Sequence, residues 1–149
     1  MLTKTSVSAV RALLYLSLNA EKGPVSPRRI AERIGESPSY MGKVTGLLAK
    51  AGILRAHRGV AGGVTLGCPP HELSLLAIVE ACQGHLIADY CEDSPDVDLV
   101  CSFHQAMLQL HDALVGVLSR WTLADLMEKP CPSKAIAEVV ACKMGIAVE

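Results

Sequence analysis

The chain has 149 residues and a formal net charge of −1, with half of its residues apolar but only 3% aromatic. That length fits one compact domain around a mostly aliphatic core, with an appended helix at most. No stretch approaches the roughly 20 consecutive apolar residues of a membrane span, and the apolar run 12–18, which follows Arg11 and has no basic leader, does not read as a secretory signal.

A cytoplasmic protein is therefore expected, where six cysteines are thiols or metal ligands rather than a disulfide framework. The charge is unevenly spread. Residues 1–67 hold ten Lys/Arg against Glu21, Glu32 and Glu36, and residues 68–149 hold four against twelve acids. Such asymmetry suits a first half that meets a polyanion, although two ordinary solvated faces would give the same totals.

Val7, Val10, Leu14 and Leu18, with Leu13 beside them, predict an amphipathic helix over 5–19 that ends at Gly23-Pro24. Ser26-Pro27 supplies a hydroxyl cap and a proline at the first helical position, and Ile30, Ala31 and Ile34 face inward before Gly35 stops that helix. Ser37-Pro38 repeats the start signal for a helix to about residue 50, with Val44, Leu47, Leu48 and Ala51 as its apolar stripe. Two short helices joined at 35–37 have the size of a helix-turn-helix, or equally of a generic helical hairpin. A strand over 53–58, the permissive turn 59–63 and a return strand over 64–66 then make a wing. Arg55 and Arg58 at its base can reach phosphates or a narrow minor groove. Gly59, Gly62 and Gly63 let the backbone approach closely.

At this point Ser37 to Met41, Arg58 to Leu66, Leu75 to Gly84 and Leu2 to Leu13 together resemble the Rrf2 family of bacterial transcription regulators, over roughly residues 2–128. The resemblance implies a mainly α winged helix-turn-helix fold with a small β-hairpin wing and a long dimerisation helix. It implies a homodimer on a near-palindromic DNA operator, most simply as a repressor. Ser37, Ser39, Tyr40 and Lys43 would face the major groove or its phosphates, with Arg28 of the preceding helix also on the DNA. Tyr40 packed against the previous helix is the alternative. Gly42 stands where some relatives carry a larger polar residue, so operator sequence does not transfer.

Pro69-Pro70 breaks the chain, and Ser74 caps a helix from 75 to 83 that Gly84 closes. Cys82 shares the line of Leu75 and Ile78 and reads as a small core hydrophobe. Its spacing to His85 is weak evidence for a ligand pair. Phe103, Met107, Leu110, Leu114, Val117 and Trp121 step by fours and threes, the seam of a pairing helix, although packing within the domain gives a similar pattern. The resemblance makes it the dimer interface. A short helix over 122–127 closes the domain, and Ser133 caps a further helix to about 144. The expected organisation is a DNA-binding region over 1–67, a linking helix and sensor loop over 68–100, a dimerisation helix and closing helix over 101–128, and an extension over 129–149.

The loop 91–104 concentrates Cys91, Cys101, His104 and four acids. The family's cluster-binding members carry three closely spaced cysteines here, and a histidine in some. Cys101 and His104 match the last two positions and Cys91 the first. Glu92, Asp93, Asp96 and Asp98 stand where the middle cysteine is missing. Ser102 and Gln105 make a capping-box pattern that would set Cys101 just outside a helix N-terminus, where thiolate and anionic clusters are stabilised. Three readings stay open. Cys91, Cys101 and His104 hold an iron–sulfur cluster, 2Fe–2S by ligand type, that senses redox, iron or nitric-oxide status. Alternatively they hold a single iron or zinc, or no metal is bound and thiol redox state, an effector or a partner protein regulates. An enzyme is not expected, since Cys101 and His104 lack an orienting group and an oxyanion site. An interaction adaptor on a winged helix is the remaining class.

Overall fold

Helix α1 (Lys4–Leu18) is the element on which the others pack. It belongs to a computed structural model that describes residues 2–86, 100–133, 142 and 144. Thr3 caps it by accepting the Ser6 N–H. The predicted amphipathic stripe understates its burial: an unbroken run from Ser8 to Ser17, Arg11 excepted, is buried. A helix buried all round needs partners all round, and α1 has them in α2, α3, α4, α6 and the wing.

The two helices of the helix-turn-helix form as their caps dictate. Ser26 accepts the Arg29 N–H ahead of α2 (Pro27–Ile34), and Ser37 accepts the Tyr40 N–H ahead of α3 (Pro38–Lys50). Gly35 closes α2 in the left-handed region at φ 73°, a conformation costly for any residue with a Cβ. Ile30, Ala31 and Ile34 are buried as the pattern requires. In α3 the buried set is Met41, Val44, Thr45 and Leu48. Leu47 and Ala51, assigned to the apolar stripe from spacing, lie exposed. Helical rotation sets Met41, not Leu47, in line with Val44 and Leu48.

Strands β1 (Leu54–His57) and β2 (Gly63–Leu66) pair antiparallel, Leu54 opposite Leu66 and His57 opposite Gly63. The predicted strands 53–58 and 64–66 thus shift by a residue at their ends. On its other side β2 meets the α1–α2 connection, where Val25 and Val64 exchange hydrogen bonds of 3.1 and 2.9 Å. The wing is therefore anchored through β2 close to its turn, and only that turn projects.

A 3₁₀ turn at Pro70–Glu72 leads to α4 (Leu75–Gln83), capped by Ser74 and closed by Gly84 at φ 80°. Helix α5 (Ser102–Arg120) then runs to Trp121, and α6 (Leu123–Glu128) follows under a reciprocal capping box of Thr122 and Asp125. Two hydrogen bonds of 2.8 Å, Leu75 N–H to Trp121 O and Leu123 N–H to Leu73 O, tie this junction to the start of α4. The N-cap of α5 is Cys101 itself, with Ser102 the first helical residue. The helix therefore starts one residue before the Ser102/Gln105 capping box expected from sequence would start it, and without a side-chain cap. No helix among the described residues is long and apolar enough to cross a membrane. Most of the helix expected over 133–144 lies outside the described residues.

Candidate nucleic-acid interface and sensor segment

The solvent face of α3 carries Ser39, Gly42, Lys43, Gly46, Leu47 and Lys50, all exposed and spaced by threes and fours. A Cβ added at Gly42 or Gly46 would meet nothing within 4 Å. The chain's own packing does not call for glycine at either position. Ser37 is engaged as the cap, with the Ser39 hydroxyl 3.5 Å away. Sequence reasoning missed Leu47, Gly46 and Lys50 as members of this face. Their spacing from Lys43 was the available signal.

Tyr40 is half-buried rather than projecting. Its hydroxyl donates to Thr5 Oγ1 at 3.3 Å, the Lys4 ammonium sits 5.1 Å from the ring centroid, and the ring packs on the core. Beside it, Glu36 is held by the Ser8 hydroxyl at 2.9 Å and Lys4 Nζ at 3.2 Å. The first two turns of α1 thus grip the turn that opens α3. The carboxylate in the turn that opens α3 is neutralised within the fold, a role that sequence reasoning did not give it.

On the wing, Arg55 and Arg58 are exposed and, like Lys43, form no ion pair among the described residues. Val60 at the tip is fully exposed. Gly59 takes φ 108°. At Gly62 an added Cβ would lie 2.5 Å from His57 O, and at Gly63 2.5 Å from the Val25 carbonyl carbon. Close backbone approach at 62 and 63 thus occurs within the chain, in the turn and at the Val25 bridge. Arg28 pairs with Glu32 at 3.0 Å across one helical turn and, with Ser26, Arg29 and Arg33, lines a shallow open cleft on α2. The basic side chains of α2, α3 and the wing are carried by one tightly packed unit.

In the segment 91–104, Cys91 lies outside the described residues. Cys101 is exposed at the head of α5. One turn on, His104 is buried to 5% exposure, and its Nδ1 has no hydrogen-bond partner among the described residues. A buried imidazole nitrogen without a partner is costly, and ligation is one way to satisfy it. Thiol and imidazole one helical turn apart therefore fit part of a cluster or metal ligand set. Among the described residues, no three His, Cys, Asp or Glu side chains are grouped to complete it. Cys82 is half-buried against the core, and burial pushes its thiol pKa up. His85 is 3.1 Å from the Glu80 carboxylate. Neither behaves as a poised ligand.

Helix α5 buries only His104 and Leu118 among its described residues. Phe103, Leu110, Val117 and Trp121 stay 46–59% exposed, with Met107 and Leu114 half-buried between them. Packing within the chain therefore leaves most of this seam open.

Residues 2–129 match the model of the Rrf2 family, described as an iron-dependent transcriptional regulator. A candidate HTH-type transcriptional regulator of Synechocystis sp. is 37% identical over 127 residues, covering 84% of this chain and 86% of that protein. The HTH-type transcriptional regulator IscR of Vibrio campbellii is 30% identical over 129 residues, 85% of this chain and 77% of that one. The structure of CymR, the global cysteine regulator of B. subtilis, superposes with a TM-score of 0.72 at 23% identity, covering 86% of this chain and 96% of CymR. These relatives are regulators, not enzymes.

Proposed function

The chain belongs to the Rrf2 family of transcriptional regulators, and on that premise we propose that it binds a near-palindromic DNA operator as a homodimer and acts as a repressor. One observation carries the reading. Lys43, Arg55 and Arg58, exposed and without ion-pair partners among the described residues, are carried by the helix-turn-helix and the wing anchored to it. Lys43 and the wing arginines then neutralise phosphates, with Arg28 beside them. Ser37, Ser39 and the turn at Gly59 bring hydroxyls and backbone to the duplex, while Gly62 and Gly63 shape the wing that presents them. Gly42, Gly46 and Leu47 form the surface that meets base edges, where an apolar side chain suits a thymine methyl group. Tyr40 acts chiefly by fixing how α3 leaves the turn.

The α5 seam of Phe103, Met107, Leu110, Leu114, Val117 and Trp121 pairs two copies. Two-fold pairing doubles the limited contacts of one recognition helix and sets the half-site spacing. In this reading residues 1–67 bind DNA, 68–100 link and sense, 101–128 dimerise and 129–149 extend the domain.

The sensor is the segment 91–104, with Cys91, Cys101 and His104 holding an iron–sulfur cluster and a carboxylate or a partner-subunit group completing it. The unpartnered His104 nitrogen and the family's iron-dependent description support this. When bound, such a cluster supplies redox chemistry and sensitivity to iron and nitric oxide. His104 would hold the cluster from inside the fold and Cys101 from the surface, so loss of ligation would disturb the first turn of α5 directly. The missing middle cysteine favours a second reading, in which Cys101 and its neighbours respond as thiols without metal.

The DNA reading is tested by selecting duplexes from a random-sequence pool with the wild-type chain and titrating the enriched duplex over a salt series. Tight binding that weakens steeply with salt is expected. Binding without salt dependence, or none, refutes it and favours an interaction adaptor.

A further inference from the structure

Gln83, the last residue of α4, reaches across the fold to the start of α1. Its Oε1 accepts from the Ser6 hydroxyl at 2.7 Å and from the Thr3 N–H at 3.0 Å, 77 and 80 residues away in sequence. Ser6 is fully buried, and its hydroxyl also lies 3.0 Å from Thr3 Oγ1. One acceptor therefore holds both the N-cap and the first turn of α1.

The other side of that turn holds the recognition helix. Lys4 and Ser8 bind Glu36, and Thr5 and Lys4 bind Tyr40. Ser6 is two residues from both Lys4 and Ser8, roughly 200° around the helix, so the two sets of contacts leave α1 on opposite sides. Packed helices transmit small displacements because interiors have little room to absorb them. Fixing Thr3 and Ser6 fixes the axial position and rotation of the turn that carries Lys4, Thr5 and Ser8. Without Gln83, the Thr3 and Ser6 side of that turn keeps only its own cap, and first turns fray readily.

We propose that Gln83 is a positioning residue for DNA recognition, acting through the first two turns of α1 to set where α3 begins. It touches no DNA. The proposal rests on the DNA-binding reading and is independent of whether a cluster is bound. It places the end of α4, which leads directly into the segment before Cys101, in mechanical contact with the recognition helix.

Gln83→Leu removes the acceptor at nearly constant size, and Gln83→Glu restores one. The probe is the duplex enriched by the wild-type chain, titrated over a salt series. Gln83→Leu is expected to bind about tenfold more weakly, with an unchanged slope of log affinity on log salt and unchanged helical circular dichroism. Gln83→Glu should recover most of the loss. Should Gln83→Leu fail to fold, Ser6→Ala tests the same link more gently and should weaken binding in the same direction. Where both single variants fold, the double variant should lose little more than Gln83→Leu alone. Unchanged affinity in Gln83→Leu, a loss that Gln83→Glu does not recover, or a changed salt slope overturns the proposal. If the wild-type chain enriches no duplex, the DNA reading falls and this proposal with it. If the wild type binds and Gln83→Leu binds equally, only this proposal falls.

Discussion

The Ser8 hydroxyl, almost wholly buried on α1, donates a 2.9 Å hydrogen bond to Glu36 across 28 residues of sequence. Lys4 meets the other carboxylate oxygen at 3.2 Å. Ser8→Ala should destabilise the fold by about 1–2 kcal/mol, the cost of removing a buried donor from a charged acceptor. Chemical denaturation measures it. A change below a few tenths of a kcal/mol would mean that Lys4 alone holds Glu36.

Glycines at 63 and 42 should respond with opposite sign. At Gly63 a methyl group would press on the Val25 backbone, so Gly63→Ala should cost about 1–3 kcal/mol as β2 is forced away from the α1–α2 connection. At Gly42 nothing lies within 4 Å, so Gly42→Ala should stabilise the free protein by about 0.5–1 kcal/mol. Thermal unfolding of the two variants checks the pair. Weaker duplex binding by the more stable Gly42→Ala would mark that position as a point of close approach to DNA.

Arg58→Ala should weaken binding to every duplex and reduce the salt slope by about one phosphate contact. A sequence-independent loss is the mark of a backbone contact. An unchanged slope would remove the wing from the interface.

Leu114→Glu places a charge in the centre of the α5 seam, flanked by the exposed Leu110 and Val117. Sedimentation should show a monomer, and operator binding should fall with it, because two half-sites are then no longer linked. A dimer with wild-type affinity would assign the seam to another partner.

Protein isolated without oxygen should be coloured, with iron and acid-labile sulfide. Cys101→Ala should abolish the colour while circular dichroism stays that of the wild type, since Cys101 is exposed and makes no side-chain cap. Colourless, iron-free protein after anaerobic reconstitution would leave the metal-free thiol reading.

Much of the fold was legible because it is written in short-range chemistry. Ser26-Pro27, Ser37-Pro38 and Ser74 start the helices that they were expected to start, and Gly35 and Gly84 end the first and the last of them. A cap is a contact between residues three apart, so the sequence states it in one place. The order of helices and hairpin follows from the same signals, and the period of the α5 seam from its helical spacing, although that spacing did not say whether the seam faces the domain or solvent.

Tertiary structure alone decided which faces are covered and what the polar side chains hold. Periodicity gave α1 an inside and an outside, yet packing from several elements buried almost all of its second half. Leu47 was assigned to the core by its spacing, and the placement of α3 turned it to solvent. Gly63 owes its identity to Val25, Glu36 to Ser8 and Lys4, and Gln83 to Thr3 and Ser6. In each pair the partners lie at least 28 residues apart. Local propensity constrains only neighbours along the chain, so distant hydrogen bonds and contacts become determinate only once the core has fixed where each backbone runs.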